Sequence, residues 1–80
     1  MKIKFQLNAI GLSLKATEGK DGRQFYQISI DQDGEAGSLP ITDEVFKVNS
    51  ATFKKYSPVS LTCEYNDQYK YCRVIGLAQK

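Results

Sequence analysis

The 80-residue chain has no histidine, only two cysteines and no long apolar run, and each shortage removes a class of function. Without histidine, general acid–base catalysis lacks the one side chain that ordinarily titrates near neutral pH. Two cysteines with no histidine fall short of the four ligands of a structural zinc site, so neither a metal nor another cofactor is expected. Nor do two cysteines make a disulfide framework, and in a chain without a secretory signal the expected state is a pair of buried thiols. No stretch approaches the ~20 apolar residues of a membrane-spanning helix. The opening segment, Met1 to Leu7, carries bases but not the continuous apolar run of a signal peptide, so a cytoplasmic location is expected. Together these shortages point to a binding protein and away from an enzyme.

What remains is an ordinary folding composition, 41% apolar and 25% charged. Eighty residues make one domain, and so small a core gains from association, so a homodimer is expected. The net charge of +2 conceals a division. Asp31, Asp33, Glu35, Asp43 and Glu44 lie in a stretch without lysine or arginine, which leaves eleven bases against four acids elsewhere. A chain divided in this way can turn a basic face towards a polyanion and an acidic face away from it.

The hydrophobic pattern is that of strands. Ile3, Phe5, Leu7 and Ala9 alternate with Lys2, Lys4, Gln6 and Asn8, and after Ala9 the apolar phase shifts to Ile10, Leu12 and Leu14, with Gly11 between. A phase change at a glycine predicts a bulge or bend in one long strand. Thr17 to Gly22 reads as a turn, and Arg23 to Asp31 as a second strand with Tyr26, Ile28 and Ile30 on one face and Phe25, Gln27 and Ser29 on the other. Asp33-Gly34 signals a tight hairpin turn, and Asp31 and Asp33 belong to it rather than to a metal site. A short strand over Ser38 to Ile41 contains Pro40, which suggests an edge. Thr42 or Asp43 caps a short helix, with Val45, Phe46, Val48 and Phe53 seating the segment that ends at Tyr56.

From Pro58 to Leu77 the chain reads as a hairpin with its loop at Asn66 to Tyr69, so that Tyr65 faces Lys70 and Cys63 faces Cys72. One face then carries Val59, Leu61, Cys63, Cys72 and Val74 towards a core. The other carries Ser60, Thr62, Glu64, Tyr71, Arg73 and Ile75. Tyrosine beside arginine on a strand is a platform for stacking bases and holding phosphates.

The expected fold is all-β: three strands, a short helix and two more strands. This order resembles the OB-fold, a five-stranded Greek-key barrel, with an SH3-like barrel as the alternative. Within that class the basic first strand, turn-rich first hairpin, scattered tyrosines and basic last strand are similar in style to filamentous-phage gene V-type proteins. Those are among the small single-stranded-DNA-binding proteins of phages and mobile elements. The resemblance implies a role in DNA replication, although the helix after Thr42 departs from the gene V style. The chain also lacks the acidic tail of bacterial single-strand-binding proteins, which leaves tail-mediated recruitment of partners unsupported.

The candidate nucleic-acid-binding residues follow from these faces. Phe25, Tyr69 and Tyr71 would stack bases, while Lys4, Lys20, Arg23, Lys54, Lys55, Lys70 and Arg73 would neutralise phosphates, with Lys15 also within reach from the first turn. Gly19-Lys-Asp-Gly22 has the spacing of a KH-domain clamp but joins strands rather than helices, so it is not one. Phe5, Phe46 and Phe53 are expected in the core, along with Tyr26. The rival reading is a protein-interaction or assembly module without nucleic-acid binding, docking through the edge strand near Leu39 and the acidic segment.

Overall fold

The alternation that opens the chain becomes one long strand, β1 (Lys2–Glu18), and its change of phase becomes a bend. The computed structural model describes residues 1–79. β2 (Gln24–Gln32), β3 (Glu35–Ile41), α1 (Asp43–Asn49), β4 (Ser57–Asn66) and β5 (Tyr71–Gln79) follow in order. β1 pairs antiparallel with β4 over Lys2–Gly11 and with β2 over Ile10–Glu18, with the register breaking between Gly11 and Ser13. Gly11 is required at the bend, because a Cβ there would lie 2.8 Å from the Phe53 ring and 3.1 Å from Val59.

The strands close in the order β1-β2-β3-β5-β4. The β3–β5 contact is parallel and consists of one bridge, Ile41 to Val74. This is an OB-like Greek-key barrel with its helix between the third and fourth strands. The Asp33-Gly34 turn has φ of 55° and 84°, the paired left-handed conformation of a two-residue hairpin loop. Thr42 caps α1, its Oγ1 accepting from the Val45 amide at 3.2 Å. Ile28, Ile30, Ile41, Val45, Val59, Leu61, Cys63 and Val74 form the buried core, and truncating Leu61 to alanine there should cost about 2–5 kcal/mol.

Four sequence expectations change. The terminal hairpin pairs two residues out from the expected register: Tyr65, not Lys70's partner, faces Cys72, and Cys63 faces Val74. The loop is residues 67–70, because Asn66 Oδ1 accepts from the amides of Gln68 (3.0 Å) and Tyr69 (3.4 Å) and Lys70 turns at φ 51°. An offset of two preserves the faces, so Tyr71 and Arg73 still point outward, and a bulge at Ile75 absorbs the residue between Val74 and Gly76. Phe5 is 41% exposed, because among the described residues one edge of the first half of β1 has no neighbouring strand. Val48 is exposed on the solvent side of α1. Both cysteines are free, Cys63 buried and Cys72 partly so, and burial together with the neighbouring Cys72 thiol pushes the Cys63 thiol up.

Candidate nucleic-acid interface

With Ile28 and Ile30 committed to the core, the alternation of β2 turns Phe25, Gln27 and Ser29 outward. Tyr26 faces inward, stacks on Phe46 at 4.4 Å between ring centroids, and donates its hydroxyl to Gln24 Oε1 at 2.7 Å. Phe25 is 53% exposed and its ring rests on Gly19, where a Cβ would approach Cε2 to 2.7 Å. The Gly19 amide donates to the Arg23 carbonyl (2.7 Å) and the Gly22 amide to the Gly19 carbonyl (3.1 Å), while Gly22 closes the turn at φ 81°. The paired glycines of this loop therefore make room for an aromatic ring and complete a turn.

β5 reaches the same place from the other side of the barrel. The β3–β5 bridge sets the outer face of β5 beside that of β3, next to β2. The result is an open concavity of about 820 Å³ lined by Phe25, Gln27, Pro40, Asp43, Tyr71 and Arg73, among others. A second hollow of about 260 Å³ continues it between Glu64, Asn66, Tyr69, Tyr71 and Arg73. Tyr71 and Arg73 line both, so the two hollows adjoin, with Phe25 bordering the first, Tyr69 the second and Tyr71 both.

The electrostatics of the floor differ from those of the rim. The Arg73 guanidinium donates to Glu64 Oε1 at 3.3 Å, and Asp43 accepts from the Glu44 amide at 3.0 Å and lies 3.9 Å from Lys47. The lining thus holds one cation and two carboxylates, a poor floor for a phosphate chain but a suitable one for rings and amides. Positive charge gathers around it. Lys20 and Arg23 lie in the loop before Phe25, Arg23 paired with Asp21 at 3.3 Å, and Lys15 pairs with Gln27 on the outer face. Lys70 lies in the loop before Tyr71.

Pairing register adds a cross-strand row of Lys4, Glu64 and Arg73 and another of Lys2, Asn66 and Tyr71. Lys2 escaped the sequence reading, although its alternation with Lys4 placed both on one face. Lys54 and Lys55 do not join the groove. The Lys54 amide donates to Gln79 Oε1 at 2.8 Å, at the far end of β5, some ~26 Å of strand from Tyr71.

Comparison of the chain with family models, with curated proteins and with solved structures finds no match. Fold and groove define the chain on their own terms: an OB-like barrel with an aromatic groove across β2, β3 and β5. Among the described residues no helix is long and apolar enough to cross a membrane.

Proposed function

We propose that the chain is a sequence-tolerant binding protein for single-stranded nucleic acid, DNA in particular. The observation that carries this reading is the meeting of Phe25 from β2 with Tyr71 and Arg73 from β5 around one groove. Successive bases stack on Phe25, Tyr71 and Tyr69, and because every base has a π-face the stacking tolerates any sequence. The Arg73 guanidinium, oriented by Glu64, offers a flat cationic surface beside Tyr71. Phosphates follow the rim, where Lys15, Lys20 and Arg23 serve one end and Lys2, Lys4 and Lys70 the other. In such a site the aromatic residues supply affinity that survives salt, and the rim supplies affinity that salt removes.

The test is fluorescence anisotropy of labelled oligo-dT at two salt concentrations, with oligo-rU in parallel. Binding at low salt that weakens as salt rises, with oligo-dT preferred, is the expected result. No binding at low salt ends the reading, and equal binding of oligo-rU removes the choice of DNA. The rival reading, a protein-interaction module, rests on the free edge of β3, whose residues Glu35–Ser38 are exposed and hydrogen-bonded to β2 alone. A stable hetero-complex lost on Glu35→Lys, together with no oligonucleotide binding, would favour it.

A further inference from the structure

We infer that two copies of the chain pair through the first half of β1, antiparallel about a two-fold axis at Phe5, to give a six-stranded sheet. Three observations converge on this strand. Among the described residues, Lys2–Leu7 pairs with β4 on one side and with no strand on the other, since pairing with β2 begins at Ile10. At Asn8 the chain is already capped, its carbonyl accepting from Gln32 Nε2 at 3.1 Å, so the open edge runs from Lys2 to Leu7. An edge of this kind is a template for another strand. The second observation is exposure on the wrong face. Ile3 and Phe5 share the inward face with Cys63, Leu61 and Tyr65, yet are 46% and 41% exposed. A barrel that leaves inward-facing side chains in water is incomplete as a monomer.

The third observation selects the occupant and its register. A two-fold perpendicular to the sheet keeps inward faces together only when residues of like parity are opposed. Centring the axis on Ile3 opposes Lys2 to the other copy's Lys4 twice, and centring it on Lys4 opposes that lysine to itself. Centring it on Gln6 sets Lys4, Ile3 and Lys2 against Asn8, Ala9 and Ile10, where Gln32 and β2 already close the edge, whereas centring it on Phe5 sets only the terminal Lys2 against Asn8. Centring it on Phe5 opposes Lys4 to Gln6, Ile3 to Leu7 and Phe5 to itself, with no lysine facing a lysine over the open edge. The exposed Ile3 and Phe5 then form one ladder with the half-buried Leu7, Ile3–Leu7, Phe5–Phe5, Leu7–Ile3, closed by symmetry and unable to grow into a fibre.

Pairing also orders the outer face. It places the Lys4 residues of the two copies diagonally about the axis, with each Lys2 further out along its own strand, across the rows that end at Tyr71 and Arg73. That consequence for nucleic acid rests on the function proposed above, whereas the pairing itself does not.

The experiment is sedimentation of the protein alone, free of nucleic acid. Wild type should run at twice the 9.0 kDa chain mass. Gln6 is exposed on the outer face, so its substitution leaves the core alone. Gln6→Glu, opposing a carboxylate to the other copy's Lys4 at two equivalent positions, should tighten the dimer roughly three- to tenfold, and Gln6→Lys should weaken it by a similar factor. Phe5→Lys should sediment as a monomer while its circular dichroism spectrum stays that of the folded chain. A wild-type chain that remains at 9.0 kDa at the highest concentration reached overturns the inference. So does a dimer indifferent to charge at Gln6, and so does one that Glu35→Lys dissociates instead, which would place the contact on β3. Oligonucleotide binding is read separately, so a monomer that binds DNA refutes the pairing and leaves the function standing.

Discussion

Two phenylalanines reach solvent in this barrel, Phe25 and Phe5, and they do so for opposite reasons. Phe25 faces outward on a strand paired on both sides, and its ring is held in place by a glycine that leaves room for it. Phe5 faces inward on a half-strand paired with β4 alone among the described residues. In the function proposed above the first ring is presented to a base, and in the pairing inferred above the second is covered by the other copy. Comparable exposure therefore has different causes, decided by the side of the sheet on which the residue lies.

The largest expected effect separates the two directly. Phe25→Ala and Tyr71→Ala should each cost about 1–3 kcal/mol in affinity for oligo-dT, measured by anisotropy, with little change in thermal stability. An unchanged affinity would reduce the groove to surface decoration. Gly19→Ala sharpens the same point without touching an aromatic residue. The added methyl meets the Phe25 ring at 2.7 Å, so the ring must move, and affinity should fall towards that of Phe25→Ala while the circular dichroism spectrum is retained. Smaller, and of opposite sign, is Glu64→Gln. Release of Arg73 from its carboxylate should raise affinity by about 0.2–1 kcal/mol and steepen the salt dependence by about one phosphate contact. Lys54→Ala with Lys55→Ala should change affinity least, since both stand at the other end of β5.

A last, weak effect belongs to the core side of the comparison. The Cys63 thiol titrates above its ordinary value of 9.0 because it is buried beside Cys72. The unfolded chain therefore loses this proton first as pH rises, so stability falls above about pH 9 and is unaffected below it. Cys63→Ser should flatten that alkaline slope in denaturant titrations, at a cost in stability at neutral pH.

Much of the barrel was legible in the sequence because alternation reports faces. The phase break at Gly11 foretold the bend, Asp33-Gly34 the turn, and Thr42 the cap. Tyr71 and Arg73 keep the outer face that alternation gives them although the hairpin pairs two residues out from the expected register, since the offset is even. That register depended on Asn66 accepting two loop amides and on Lys70 adopting a left-handed conformation, neither of which hydrophobic pattern encodes. Phe5 was misplaced for a related reason: alternation tells which way a side chain points but not whether the strand beside it exists. The lysines were the least legible. Composition counted Lys54 and Lys55 with the rest, and only the tie between Lys54 and Gln79 put them at the far end.

If Phe25 and Tyr71 face one nucleic-acid chain, titrating the isotopically labelled protein with oligo-dT and following backbone and aromatic resonances will locate the contact. Shifts concentrated at Phe25, Gln27, Tyr71 and Arg73, with Lys54 and Lys55 unmoved, are the predicted result. Shifts confined to the Lys54–Lys55 end, or none at saturating oligonucleotide, would contradict it.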